Sequence, residues 1–194
     1  MKPLIKYQLD FDTFLRYIEQ NTEKTNELST IIVSTIKSVP GNCFTLLPEN
    51  TKKEKIHEFS SGGFTTDIEK EVCNYIMNRM KGKYCSCIFD DVNVNKSDNF
   101  EDSFSLNFSL YFKNEVYYAI KRNNLSNDTF LKCMLASDGI WHSLCIITTF
   151  NLDDMISKEL NQDVIEKICT NSLLVMFGAY DGEGYIFWEK NEQT

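Results

Sequence analysis

Between residues 173 and 189 the chain carries its densest run of apolar side chains. Leu173, Val175, Phe177 and Ala179 fall on one side of an extended backbone, and Leu174, Met176 and Tyr180 fall on the other. A strand that is apolar on both faces needs cover above and below, so this run is expected in the interior of a sheet. Asp181-Gly182-Glu183-Gly184 then supplies turn residues, and Tyr185-Ile186-Phe187-Trp188-Glu189 returns, which predicts a hairpin.

The period of the pattern changes along the rest of the chain. Phe14, Leu15 and Ile18 have helical spacing, with Asp12 placed to cap the helix, and Leu28, Ile31, Ile32 and Ile36 do the same over 25–39. Pro40-Gly41 stops that second helix, and residues 41–65, with Pro48, Lys52-Lys53-Glu54-Lys55 and Ser60-Ser61-Gly62-Gly63, read as a long loop. Thr66 with Glu69 forms a capping box that opens a helix over 66–81, its apolar stripe being Ile68, Val72, Tyr75, Ile76 and Met80. From Lys83 the period is two. Strands are expected at 84–89, at 104–112 and at 116–121, and a hairpin over 131–150 with Asp138-Gly139 as its turn. Asn151 caps a short helical stretch, and another follows at 162–169. Helices gathered early and strands gathered late predict a single α+β domain over 1–194, with a helical region at 1–40. Its largely antiparallel sheet of about six or seven strands would fill 83–189, with the helices on one side.

Composition narrows the function classes. A chain of 194 residues that is 42% hydrophobic and 25% charged can build a sizeable core. The net charge of -8 is concentrated late: residues 131–194 hold ten acids against four bases, whereas residues 1–60 hold eight of each. Such a surface repels nucleic acid and anionic membranes and attracts basic partners. The seven cysteines form no regular framework and sit mostly in apolar runs, as free thiols of a reducing compartment do. The first residues contain no signal-type apolar segment, so a cytoplasmic location is expected.

Catalytic chemistry has few carriers here. Of the two histidines, His57 lies in the charged loop, and His142 is separated from Cys145 by an odd interval that sets them on opposite strand faces. Cys85 and Cys87 share a strand face, but no second pair completes a zinc site, and core packing explains them better. The glycine-containing stretch before Thr66 has no P-loop lysine, and Asp67 and Glu69 repel phosphate there. No cofactor is expected. The strongest cluster is acidic: Asp90, Asp91, Asp98, Glu101 and Asp102 stand against a lone Lys96, and Asp181 and Glu183 flank Gly182. Carboxylates on a rigid sheet can mimic phosphates and steer onto a basic protein. Tyr111, Tyr180 and Tyr185 beside them are the expected aromatic anchors. Two other readings stay open. One is a metal-dependent enzyme using Asp90 and Asp91, although the residue order of an EF-hand is absent. The other is a self-associating structural or regulatory protein.

The closing stretch Gly178-Ala-Tyr-Asp-Gly-Glu-Gly-Tyr-Ile-Phe-Trp188 is similar to hairpins of immunity proteins that neutralise bacterial polymorphic or contact-dependent toxins. The resemblance implies a stoichiometric complex with a cognate toxin domain, often a nuclease whose basic substrate groove is blocked. It assigns a role to no individual residue.

Overall fold

The computed structural model describes residues 4–21, 27–49, 51, 66–89, 108–113, 115–121, 144–178 and 184–191. Eight strands form one sheet in the order β1-β2-β8-β7-β6-β3-β5-β4, and every neighbouring pair is antiparallel. In chain order they are β1 (Leu4–Leu9), β2 (Gly41–Pro48), β3 (Ser86–Phe89), β4 (Phe108–Phe112), β5 (Glu115–Lys121), β6 (Leu144–Thr148), β7 (Ser172–Gly178) and β8 (Tyr185–Lys190). The α-helices are α1 (Phe11–Asn21), α2 (Glu27–Lys37), α3 (Thr66–Arg79) and α4 (Gln162–Thr170), with a 3₁₀ turn at Leu152–Asp154. The fold is α+β, as the pattern predicts.

The run 172–178 lies inside the sheet, and its two apolar faces supply two cores. On one face Val175, Phe177, Ile186 and Trp188 meet Phe14 of α1, Ile32 and Ile36 of α2, and Ile165 and Ile168 of α4. On the other, Leu174, Met176 and Phe187 meet Val72, Ile76 and Met80 of α3. The helices therefore cover both faces, not one. A helix's apolar stripe reports that it packs, and carries no information on which side of the sheet it packs.

Residues 41–48 correct the expected loop. They form β2, paired to β1 on one side and β8 on the other, with residues 43–47 all buried. Gly41 is required there: a Cβ would stand 2.4 Å from the indole of Trp188, a side chain that is only 1% exposed. The first strand, β1, was not expected either. Asp10 rather than Asp12 caps α1, its Oδ1 accepting from the Thr13 backbone N–H at 2.6 Å. Leu173 packs toward the α3 side with Leu174, since the register shifts between Ile147 and Thr148 and leaves Leu173 as an extra residue between the partners of those two. The expected 131–143 half of a hairpin lies outside the described residues, while 144–148 is β6.

Candidate functional site

The strand register brings several chain exits to one end of the sheet. Phe89, the last residue of β3, pairs with Cys145 at the start of β6. Leu144 pairs with Phe177 near the end of β7, and Gly178 pairs with Tyr185 at the start of β8. Phe89 also pairs with Tyr118, so the β4–β5 turn lies beyond it toward the same end. Asp90 and Asp91 follow Phe89 directly, and Asp181 and Glu183 belong to the connection between Gly178 and Tyr185. Two strand spacings separate β3 from β7, roughly 10 Å. The strand ends that lead to the two acidic groups, far apart in sequence, thus lie at one end of the sheet with β6 between them. β2 also ends there, and the basic run at Lys52 follows it in the sequence.

Of the expected site residues, Asp90, Asp91, Asp98, Glu101, Asp102, Tyr180, Asp181 and Glu183 themselves lie outside the described residues. Tyr111 is 43% exposed on β4, as an anchor requires. Tyr185 is a correction. It is 7% exposed in the α3-side core beside Phe187, because strand alternation turns it inward, and it presents no surface to a partner.

The outer side of Tyr111 is built by the segment 158–160. The Tyr111 backbone N–H donates to the Lys158 carbonyl at 2.9 Å, and the Leu160 N–H donates to the Tyr111 carbonyl at 2.7 Å. This parallel bridge seals the β4 edge and sets Glu159 opposite Tyr111, with the fully exposed Ile156 three residues earlier. Asn151 starts the turn that leads there, its side chain accepting from the Asp153 N–H. Asp153 holds the Lys121 ammonium at 2.5 Å, and that hydrogen bond keeps the lysine above its ordinary range. The exposed Tyr111 and Glu159 are therefore neighbours on the β4 edge, whereas the Asp153–Lys121 pair lies at the other end of β5.

A second constellation lies inside. Glu189 is 7% exposed on β8 and receives Lys6 of β1 at 2.5 Å, Arg79 of α3, and the Tyr75 hydroxyl at 3.2 Å. Lys6 also sits over the Phe44 ring at 3.9 Å. Burial and the neighbouring Glu189 charge push the Tyr75 phenol well above its usual range. The signal in the sequence was an acid at the end of an apolar strand. Its partners come from two other stretches of chain, Lys6 from β1 and Tyr75 with Arg79 from one turn of α3, and no local pattern links these to Glu189. This network ties β1 and α3 to the sheet, and a buried carboxylate with several donors is satisfied there without further ligand.

The thiols are core groups. The six described cysteines are free and buried, and Cys73, Cys85, Cys87 and Cys145 belong to the α3-side core together with Met77, Met80 and Met176. Burial pushes the Cys43 and Cys169 thiols up to about 12, which leaves them protonated and poor nucleophiles at neutral pH. Among the described residues no three His, Cys, Asp or Glu side chains are grouped to hold a metal ion. His57 and His142 lie outside them. No helix of the described residues is long and apolar enough to cross a membrane.

Comparison of the chain with family models, with curated proteins and with solved structures found no match.

Proposed function

We infer that this chain is a binding protein that captures a basic protein partner on the sheet end where β3 and the β7–β8 connection emerge. The observation that carries this is topological: the strand ends leading to Asp90-Asp91 and to Asp181-Glu183 lie at one end of the sheet with only β6 between them, and the exposed Tyr111 is at the same end. Carboxylates held on rigid strand ends steer a cationic surface, and an exposed tyrosine supplies the desolvated contact that steering alone lacks. The partner class that fits is a toxin domain with a basic substrate groove, bound stoichiometrically in the cytoplasm, in keeping with the resemblance of the closing hairpin to immunity proteins. The buried, reduced cysteines agree with a reducing compartment.

The test is first whether a gene adjoining this chain's encodes a toxin domain, and then binding to that domain, measured by titration calorimetry and stopped-flow association. Reversal of Asp90 and Asp91 to Lys, reversal of Asp181 and Glu183 to Lys, and Tyr111→Ala are each expected to weaken binding by about tenfold or more. Wild-type association should also slow steeply between low and physiological salt, where exposed charges are screened over about 8 Å. If both charge reversals leave affinity and association rate unchanged, the acids serve only solubility.

A further inference from the structure

The two edges of the sheet are finished differently. At β4 the Lys158–Leu160 segment bonds to the outer backbone groups of Tyr111. At β1 nothing among the described residues pairs with the outer side of Leu4–Leu9, whose inner side is taken by β2. An open strand is a template for another chain unless a charge, a proline or a bulge blocks it. The one charge on β1 is Lys6, and it is drawn over Phe44 onto Glu189. The ion pair that anchors the strand thereby also removes its guard.

We propose that β1 pairs with β1 of a second copy of this chain, antiparallel about a two-fold axis through Tyr7, so that the two sheets become one. The side-chain pattern selects both the occupant and the register. Leu9 packs on the α1 side of the sheet and Leu4 on the α3 side, so Ile5, Tyr7 and Leu9 share the first face and Lys6 and Gln8 the second. A two-fold axis perpendicular to the sheet pairs residues of like face only. Centred on Lys6, it would oppose two ammonium groups. Centred on Tyr7, it sets Ile5 against the second copy's Leu9, Tyr7 against itself, and Lys6 against the second copy's Gln8. All apolar pairs then fall on one face and all polar pairs on the other, which is the arrangement that cross-strand pairs reward. Ile5, at 37% exposure one of the few large exposed apolar side chains, gains a partner. A closed two-fold contact ends in a dimer and leaves the acidic end free. Five paired residues bury less than the roughly 1,200 Å² of a stable interface, so the dimer is reversible and concentration-dependent.

Sedimentation velocity on the full chain, from low to high concentration, should show a monomer–dimer equilibrium. Ile5→Lys, which restores a guarding charge, should weaken it by about tenfold or more while the circular dichroism spectrum stays unchanged. Tyr7→Cys should cross-link to a dimer under mild oxidation, and Ile5→Cys, distant from its own copy in this register, should not. The cross-link comparison decides the matter even where Ile5→Lys fails to fold. A wild-type chain that sediments as a monomer throughout overturns the proposal. So does a dimer that survives Ile5→Lys and in which Tyr7→Cys cross-links no better than Ile5→Cys.

Discussion

At the scale of single residues, titratable side chains withdrawn from water tie stability to pH. Cys169 sits in the α4-side core and its thiol is pushed from 9.0 to about 12 by burial, with Glu166 adding to the shift. Cys43 is raised to about 12 for the same reason, reinforced by Asp10. As pH climbs past 9, the unfolded chain releases these protons first and the folded chain keeps them. The unfolded state then binds fewer protons, so stability falls between pH 9 and 12, by about 1.4 kcal/mol per unit for each such thiol at most. Tyr75, raised by burial and by Glu189, joins from about pH 10. Urea unfolding at stepped pH should show this loss. In Cys169→Ala the slope should be shallower, though neutral stability drops through the cavity left behind. An unchanged slope would mean that the thiol is not held protonated by the fold. None of this was visible in the sequence beyond the placement of cysteines in apolar runs. Tyr185 shows the opposite error: a tyrosine beside a polar turn looks exposed, but alternation from the buried Phe187 sends it inward.

At the scale of elements, the sequence was most legible where the pattern was longest. The two N-terminal helices and the helix at 66–79 were found because each carries an apolar stripe at helical spacing, and the closing hairpin because two long apolar runs flank a cluster of turn residues. Phe177 illustrates the consequence: it is 7% exposed and meets the Phe14 ring edge-on at 6.0 Å. Phe177→Ala is expected to cost about 3–5 kcal/mol in chemical denaturation, and a loss under about 1 kcal/mol would remove the basis for placing this strand in the interior. β2 was missed because Cys43-Phe44-Thr45-Leu46-Leu47 has no alternation and lies between Pro40-Gly41 and Pro48, residues that normally punctuate loops. A strand covered on both faces needs no alternation, so its signal is only a short apolar run. β1 does alternate, Ile5, Tyr7 and Leu9 against Lys6 and Gln8, but over so short a run directly before a helix that the signal is weak. The candidate site shares this limit. Its acids and Tyr111 could be picked out by type, but that the strand ends leading to the acids share one end of the sheet with Tyr111 is a property of register, which sequence patterning does not encode.

At the scale of the whole molecule, the strand order makes the C-terminal hairpin the keystone. β7 and β8 stand between β2 and β6, so without them the sheet divides into β1-β2 on one side and β6-β3-β5-β4 on the other. Both cores also run through this hairpin, since Val175, Phe177, Ile186 and Trp188 fill one and Leu174, Met176, Tyr185 and Phe187 fill the other. Pairing β2 with β8 closes a loop that spans most of the chain, and such long-range closure is entropically slow. The N-terminal strands therefore have no sheet to join until the last strand is present. A chain truncated after Asn171 is expected to lose cooperative unfolding altogether, rather than to keep a smaller folded unit. The same hairpin supplied in trans as a 172–194 peptide should restore some structure, because it carries the missing inner faces. Thermal unfolding followed by circular dichroism, together with limited proteolysis, measures both. A truncated chain that still melts in one sharp transition would show that β6-β3-β5-β4 folds by itself with its helices, and the hairpin would then be an addition to the fold and not its centre.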